Sequence, residues 1–413
     1  MNEAVEEVAI HKLPLAEMHR ASGATFAARD GWLLPSAYGD ARAEYEAVRG
    51  AAGAGLIDLS ARGRIEVGGA EAVQFLNGLI TNDVKTLAPR SWMHAAFPNV
   101  QGRLLASVRV ARPGDEISFL IDTEPATHQK VFGLLERFTL AGDFRVKDVS
   151  AQTAQFSLQG ARAGAIIESV LGGAAYAQSG EPPSESGVTV VTVSNWRETH
   201  PVTLLHATHT GEDGYDLVCD ADAAADLWEA LTQAGAQAVG FDAFEVLRVE
   251  AGEPRFGVDV NETNVVLEAG REDEAVSYTK GCYIGQEIIA RIHWRGHVAK
   301  RLAGLVLEDE RELEADAKVR TVDGREIGRI TSTVFSPHLG RRIALAILKY
   351  DYLQAGTPVS IVAGEEERAA HVASLPFTRG SWYAAGAPVG DDVGGSNSGD
   401  DGNNNNAVGE TTS

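Results

Sequence analysis

The stretch Lys280-Gly281-Cys282-Tyr283-Ile284-Gly285-Gln286-Glu287 is the most informative part of this 413-residue chain. It places one of only two cysteines beside a lysine, in a turn bracketed by glycines, directly before the apolar run Ile288 to Ile292 that is typical of a helix. The positive end of a helix dipole and a neighbouring ammonium would both favour the thiolate form of Cys282. The alternative is that Cys282 is a small buried apolar residue, as most free cysteines are.

The octet resembles the K-G-C-Y-x-G-Q-E signature of the YgfZ family. Members of that family are folate-binding proteins linked to iron–sulfur cluster maintenance, and they are relatives of the glycine-cleavage T-protein, the aminomethyltransferase. The resemblance extends from about Tyr38 to about Phe377. Further segments that are similar to this superfamily, in its order, are Leu79 to Val84, Thr210 to Asp216, Leu247 to Gly252, Arg255 to Asp259, Ile330 to Ser332 and Phe335 to Pro337.

The resemblance implies an α+β fold of three lobes around a central channel, with two ferredoxin-like α+β lobes and a C-terminal β-barrel. The residue pattern agrees, because short strands separated by turn residues follow one another from about Arg301, as in a small barrel or sandwich. We therefore expect a folate-binding region over residues 1–299 and a barrel over 300–385. The Gly-, Asn- and Asp-rich segment 386–413 cannot bury a core, which predicts a disordered acidic tail.

Composition and charge exclude several classes of protein. The formal net charge is -22, which disfavours broad binding to nucleic acid or to an anionic membrane. No apolar run is long enough for a transmembrane helix, and the first ten residues lack the basic-then-apolar pattern of a signal peptide. Two cysteines are too few for a disulfide framework, so a reducing cytoplasm is the expected compartment.

Two residues match positions that hold folate in the superfamily. Glu212 matches the pterin-binding glutamate, and a carboxylate can accept the adjacent N–H groups of a pterin in a two-point hydrogen bond. Arg248 matches the folate-contacting arginine. The alternatives are that Glu212 is a turn acid in a T-G-E-D-G hairpin and that Arg248 forms an ion pair with Glu245 or Glu250. The resemblance thus implies tetrahydrofolate, or a one-carbon derivative, as the cofactor.

One departure from the T-protein pattern concerns its transferase acid. T-proteins carry an aspartate pair after an Asn-x-x-Gly-Gly segment, and one of those acids is needed for aminomethyl transfer. The matching stretch here runs from Asn99 to Ser107, and Ala106 and Ser107 occupy the positions of the acids. Neither side chain can stabilise a developing iminium or exchange a proton as a carboxylate does. This departure favours the YgfZ branch.

A basic cluster follows the octet. Its members are Arg291, Arg295, Lys300 and Arg301, with His293 and His297 among them. It is either a solvated rim or an anion site, for example for the polyglutamate tail of a folate, and its charge equally allows an RNA or another protein. The two histidines lie four residues apart without an evident third ligand, so the sequence predicts no metal site.

The leading hypothesis from the sequence is a cytoplasmic tetrahydrofolate-binding protein that supports iron–sulfur enzymes or assembly factors, possible clients being tRNA-modifying enzymes. Glu212 and Arg248 would hold the folate, and Cys282, tuned by Lys280, would be the reactive group. Two alternatives stay open. One is a folate-dependent aminomethyltransferase that has moved its acid elsewhere. The other is a non-catalytic scaffold that keeps the fold and has lost the ligand.

Overall fold

The computed structural model describes residues 10–114, 116–172, 190–197, 200–364 and 366–383. The predicted acidic tail lies outside these residues. So does the stretch Gly180 to Gly187, whose polar, Gly-, Pro- and Ser-rich sequence predicts a surface loop. The described helices are α1 (Ala16–Ala21), α2 (Ala41–Arg49), α3 (Ala72–Leu79), α4 (His128–Glu136), α5 (Ala163–Leu171), α6 (Ala224–Gln233), α7 (Phe241–Glu250), α8 (Glu272–Ala275) and α9 (Gln286–Arg295).

The strands form three open sheets and one closed barrel. They are β1 (His11–Lys12), β2 (Thr25–Arg29), β3 (Trp32–Ala37), β4 (Gly55–Asp58), β5 (Gly63–Gly68), β6 (Ser91–Pro98), β7 (Leu104–Arg112), β8 (Ser118–Thr123), β9 (Arg145–Asp148), β10 (Thr153–Gln159), β11 (Val190–Trp196), β12 (His200–His206), β13 (Gly214–Asp220), β14 (Gln237–Ala238), β15 (Lys300–Leu307), β16 (Lys318–Thr321), β17 (Glu326–Ser336), β18 (Arg341–Lys349), β19 (Pro358–Ala363) and β20 (Glu366–Ala373).

The first lobe contains a six-stranded sheet in the order β11-β12-β13-β10-β4-β14. Strand residues alternate between its two faces. Phe156 and Leu158 of β10 pack into the apolar core that α5 and α6 cover. Gln155 and Ser157 lie on the opposite face and are also buried, and so is Asp216 on β13. A buried polar face on a central sheet means that another part of the protein covers it.

The second lobe supplies that cover. Its five-stranded sheet has the order β6-β7-β8-β5-β9. One face, with Ile65 and Val67, packs against Leu76 of α3 and against α4. The other face packs against the first lobe, where Trp92 and Leu120 join a small apolar cluster that includes strands β12 and β13. The facing sides of the two sheets therefore form a buried junction that contains both polar and apolar side chains.

The third lobe is a closed barrel with the strand order β15-β18-β17-β16-β19-β20. Leu305, Val319 and Ile361 are fully buried in its core. Two α+β lobes with a C-terminal barrel are the fold class that the sequence predicts, and this prediction is confirmed. The sequence pattern does not predict the small sheet β1-β3-β2, which precedes the first lobe.

A buried ion network crosses the junction between the two sheets. Arg109 on β7 donates hydrogen bonds to Asp122 on β8 and to Asp216 on β13 of the other lobe. Burial alone would raise the pKa of Asp216, but the nearby His209 and Arg109 outweigh it and hold this pKa well below its usual range. Arg62 donates a second bond to Asp122 at 2.7 Å. The guanidinium of Arg109 thus links β7 and β8 of the second lobe to β13 of the first lobe.

We expect Arg109→Met to lower the free energy of unfolding by about 3–5 kcal/mol, because Asp122 and Asp216 both lose a buried guanidinium partner, although Arg62 and His209 still contact them. A urea titration measures this change. The control is Arg145→Met, since the Arg145 side chain is 77% exposed and its pair with Asp143 lies at the surface. That change should cost less than about 1 kcal/mol. Equal effects of the two substitutions would contradict the assigned role of the network.

Candidate functional site

A cavity of about 90 Å³ lies at the junction of the two lobes. Its walls come from β6 and β7, from the loop before β13, and from the segments after α7 and before α8. Apolar groups on these walls are supplied by Leu104, Val108 and Val266. Ser107, Thr208 and His209 add hydrogen-bonding groups. Apolar walls with a few convergent polar groups are typical of a small-molecule site.

Charged side chains of both signs also line the cavity. Arg62, Arg109 and Arg271 supply guanidinium groups, and the lining carboxylates are Glu124 and Glu253. Arg62 pairs with Glu124 at 3.0 Å, and Arg271 pairs with Glu253. The Nε of Arg271 is buried and has no hydrogen-bond partner among the described residues. An unpaired buried donor costs free energy, so a ligand acceptor at this position would be favoured.

Two histidines with different partners face the same cavity. Burial and the guanidinium of Arg271 hold the pKa of His94 well below its usual range, so its ring is neutral at pH 7. The neutral ring can accept the hydrogen bond of Arg271 at 3.0 Å. His209 contacts the buried Asp216 through Nε2 at 2.9 Å. Nδ1 of His209 has no partner in the part of the chain that the structure describes, so this atom is free for a ligand.

The two positions of the missing transferase acids differ in their surroundings. Ala106 is fully buried in the core of the second lobe. Ser107 lines the cavity, with its side chain exposed. The carboxylates that do line the cavity, Glu124 and Glu253, stand elsewhere on its wall. Of the two positions, only that of Ser107 faces the cavity, so an acid there could contact a ligand and an acid at the position of Ala106 could not.

The carboxylate of Glu212 accepts three hydrogen bonds from the protein itself. Arg49 on α2 donates to its Oε1 at 2.7 Å. The backbone N–H and the hydroxyl of Ser381 both donate to its Oε2, at 2.8 and 2.6 Å. Glu212 is 7% exposed and does not line the cavity. In this conformation Glu212 does not offer two free acceptors to a pterin, and its predicted role stays a prediction.

Arg248 likewise has all its donors engaged. Its guanidinium binds Glu245, the backbone oxygen of Glu253, Asp259 and the hydroxyl of Ser332. The pair with Glu245 is the alternative that the sequence left open. Burial would lower the pKa of Arg248, but Asp259 and Glu245 outweigh it and raise this pKa. The arginine joins α7 to the barrel, and its predicted contact with folate also stays a prediction.

The motifs that carry the family resemblance contact one another. Asp259 accepts hydrogen bonds from Arg248, from Thr331 at 2.6 Å and from Ser332 at 2.7 Å. Glu250 accepts from Ser336 of the Phe335 to Pro337 segment. Residues far apart in the chain therefore build two buried sets of hydrogen bonds that hold the barrel against α7. These motifs therefore have a structural role that requires no ligand.

The octet forms a fixed turn at the surface. Lys280 is buried, and its ammonium donates to the backbone oxygens of Ile80 and Asn82 at 2.9 and 2.6 Å. Burial lowers the pKa of Lys280 to about 8. Gly285 has φ +79°, and a Cβ there would lie 2.3 Å from the backbone oxygen of Asn99. Directly after it α9 begins at Gln286, where the sequence predicts a helix close by.

The two cysteines have opposite environments. Cys282 is exposed on the octet turn, and it does not line the cavity. Lys280 contacts backbone oxygens rather than the thiol. The role of the pair as a reactive site stays a prediction. Cys219 is buried in the core of the first lobe, where burial raises the pKa of its thiol to about 12.

The basic cluster is partly neutralised by neighbouring acids. Arg291 pairs with Glu287, and Arg301 pairs with Glu272. The two histidines stack on different rings, His293 on Tyr278 and His297 on Tyr350. They therefore do not share a ligand position. The group of three possible metal ligands within the described residues is a different one, His200, Asp220 and Asp222, at the surface.

Sequence reasoning missed several residues of the site. They are Arg49, Arg62, Arg109, His209, Glu253, Arg271 and Ser381. Arg49 and Ser381 contact Glu212 across 163 and 169 residues of chain, so no local pattern could connect them. A usable signal existed only for His209, which directly precedes the T-G-E-D-G-Y-D segment whose last residue, Asp216, it contacts.

Comparisons with known proteins cover nearly the whole chain. Residues 15–279 match the GCVT N-terminal domain, and residues 300–378 match the glycine cleavage T-protein C-terminal barrel domain. The aminomethyltransferase of Symbiobacterium thermophilum is 31% identical over 387 residues, which are 92% of this chain and 99% of that protein. The aminomethyltransferase of Rubrobacter xylanophilus is 30% identical over 380 residues, covering 91% of this chain and 96% of the relative.

The fold is also similar to a solved structure. It is the glycine cleavage system aminomethyltransferase T from Bartonella henselae, with a TM-score of 0.79 and 25% sequence identity. The alignment covers 90% of this chain and 98% of that chain. None of the helices in the described ranges is both long enough and apolar enough to cross a membrane.

We expect Lys280→Met to lower the free energy of unfolding by about 1–3 kcal/mol, because two buried backbone oxygens lose their donor. Thermal or urea unfolding of the purified protein measures the change. Cys282→Ser is the matched control from the same turn, and it should change stability by less than about 0.5 kcal/mol because the thiol is exposed. A stable Lys280→Met protein would show that the ammonium does not anchor the octet.

Proposed function

This chain belongs to the family of the glycine-cleavage T-protein, and from that premise we propose that it is a folate-dependent one-carbon transferase of the aminomethyltransferase type. The observation that carries this proposal is a full-length similarity to aminomethyltransferases combined with a cavity between the two lobes. The similarity includes all three lobes, so this chain has the same set of domains as those relatives. We assign the activity to the cytoplasm on the low cysteine content.

The cavity fits part of a reduced folate. Its apolar walls suit the face of a flat heterocycle, and the orphaned Nε of Arg271 can donate to a ring acceptor. Ser107 and Nδ1 of His209 can bond to ring N–H groups. When bound, a reduced folate supplies the nitrogen that accepts the one-carbon unit. The family's own folate residues, Glu212 and Arg248, are engaged by protein partners in this conformation.

A transferase of this type needs a carboxylate near a developing positive charge. Ser107 cannot supply it, and we assign this role to Glu253, which lines the cavity and pairs with Arg271. The guanidinium of Arg271 fixes the orientation of this carboxylate. The other carboxylate of the lining, Glu124, pairs with Arg62 at 3.0 Å.

We expect purified protein to form methylenetetrahydrofolate from tetrahydrofolate and an aminomethyl-lipoyl carrier protein. Glu253→Gln should lower this rate at least about a hundredfold, as for the loss of a group that handles charge or a proton in the transition state. Glu274→Gln is the matched control, because Glu274 also pairs with Arg271 but is 57% exposed and does not line the cavity. No turnover by the wild type would reject the transferase assignment.

A second candidate function rests on a different observation. Ser107 stands where the family acid would be, and the exposed Cys282 sits on a turn that Lys280 and Gly285 fix. These features support a folate-binding protein that acts through a thiol and maintains iron–sulfur enzymes, as the similarity of the octet to the YgfZ signature implies.

For this second function we expect Cys282→Ala to abolish support of iron–sulfur enzymes in cells while the purified protein keeps its affinity for tetrahydrofolate. The readouts are the activity of iron–sulfur enzymes in a strain that lacks the protein and calorimetry with the folate. Cys219→Ala controls for loss of any thiol. Full complementation by Cys282→Ala would remove the thiol from the mechanism, and the transfer assay separates the two functions.

A further inference from the structure

The segment after the barrel lies over the acid that the family uses for pterin. This closing segment, Thr378–Tyr383, follows β20 and contains Ser381, whose backbone N–H and hydroxyl both donate to Oε2 of Glu212 at 2.8 and 2.6 Å. Arg49 donates to Oε1 at 2.7 Å. The carboxylate therefore holds three charge-assisted hydrogen bonds from its own chain.

Additional contacts fix the closing segment on both sides of Glu212. The N–H of Thr378 donates to the backbone oxygen of Glu250 at 3.1 Å, and the N–H of Trp382 donates to that of Gly211 at 3.3 Å. Ser381 Oγ also accepts from the N–H of Asp213 at 2.9 Å. The segment is thus docked on the loop that carries Glu212 and does not merely pass near it.

Gly380 makes the close approach possible. A Cβ at this position would lie 2.2 Å from Oε1 of Glu212, well inside van der Waals contact. No other residue type could occupy this position without moving the segment or the carboxylate. The same closeness leaves no room for a ligand between the closing segment and the acid.

Ser381 presents two donors to one carboxylate oxygen, Oε2 of Glu212. A pterin edge also presents two adjacent donors, its amino group and ring N–H, but these would engage both carboxylate oxygens, one each. A ligand that uses both oxygens of Glu212 must therefore compete with Ser381 for Oε2 and with Arg49 for Oε1. This competition follows from the limited number of acceptor sites on one carboxylate.

The closing segment also borders the cavity. Its last described residue, Tyr383, lies close to Glu253 and Arg271, which line the cavity; burial, followed by the charge of Glu253, raises the pKa of this tyrosine. The N–H of Gly211 donates to Thr208, a further lining residue. Displacement of the segment would therefore also move Tyr383, which lies beside two residues of the cavity wall.

We propose that Ser381 is an internal competitor for the Glu212 carboxylate, so that a reduced folate gains Glu212 only by displacing the closing segment Thr378–Tyr383. This inference rests on the proposed folate binding. On this proposal, the observed association constant for folate equals the intrinsic association constant multiplied by the fraction of molecules in which the segment is released. Ser381 then determines ligand affinity although it makes no contact with the bound ligand.

Limited proteolysis tests the closed state without any ligand. Arg379 is exposed within the closing segment, and no Lys or Arg follows it, so tryptic cleavage there releases residues 380–413 as one fragment that mass spectrometry identifies. We expect Glu212→Gln and Gly380→Ala to accelerate this cleavage several-fold. Glu229→Gln, an exposed acid on α6, should leave it unchanged.

Calorimetry with tetrahydrofolate tests the competition. Ser381→Ala should bind roughly tenfold more tightly than the wild type, because one charge-assisted hydrogen bond no longer opposes the ligand. Ser374→Ala is the matched control, since Ser374 is exposed and makes no hydrogen bond in the described structure. Saturating tetrahydrofolate should also accelerate cleavage after Arg379 in the wild type.

The outcomes separate this inference from the proposed function. Equal affinities of wild type and Ser381→Ala, with cleavage after Arg379 unchanged by folate, would overturn the competition while folate binding stands. If neither Ser381→Ala nor Gly380→Ala binds tetrahydrofolate, folate binding itself is wrong and the inference falls with it. Tighter binding together with faster cleavage supports both.

Discussion

The structure depends on one constraint: carboxylates buried where the lobes meet must each have a partner from another part of the chain. Asp216 lies on the polar face of the first sheet, and Arg109 reaches it from the second sheet. Glu212 and Asp259 obey the same rule, the first through α2 and the closing segment and the second through the barrel. Since an unpaired buried charge costs several kcal/mol, these links fix the relative positions of the lobes, and the cavity is the space that they leave.

This constraint changes the meaning of the family motifs. Arg248 matches a folate-contacting arginine in sequence, and Asp259 ends another segment similar to the superfamily, yet in the structure they satisfy each other and the barrel hydroxyls. A motif of charged residues can therefore persist because it holds a fold together. The atoms left free for chemistry belong to residues outside those motifs, such as Nε of Arg271 and the side chain of Ser107.

The sequence predicts elements well where periodicity is strong. Tyr45 and Val48 recur at helical spacing and predict an amphipathic helix near Asp40 to Arg49, where α2 lies, and the barrel strands are predicted by their spacing. The sequence misses β6, whose Ser91–Pro98 stretch mixes small, polar and apolar residues without clear alternation, because both of its faces are largely covered. The candidate site was less accessible to prediction. Glu212 could be selected by its motif, but Arg49 and Ser381 lie more than 160 residues away, and only the folded chain shows that they saturate it.

The octet and the cavity are separate places with a structural connection. Gly285 packs against the turn at Asn99, and a Cβ at Gly102 of that turn would lie 3.3 Å from the side chain of Ile288 on α9. Strand β7 begins directly after this turn and carries Ser107 and Arg109 into the junction. The octet thus sets the start of the strand that supplies both a cavity wall and the interlobe ion network. Substitutions in the octet can disturb the cavity through β7 alone, so an effect on folate binding does not by itself make the thiol a reactant. Only a change confined to the sulfur atom, with stability and folate affinity preserved, separates thiol chemistry from the positioning of β7.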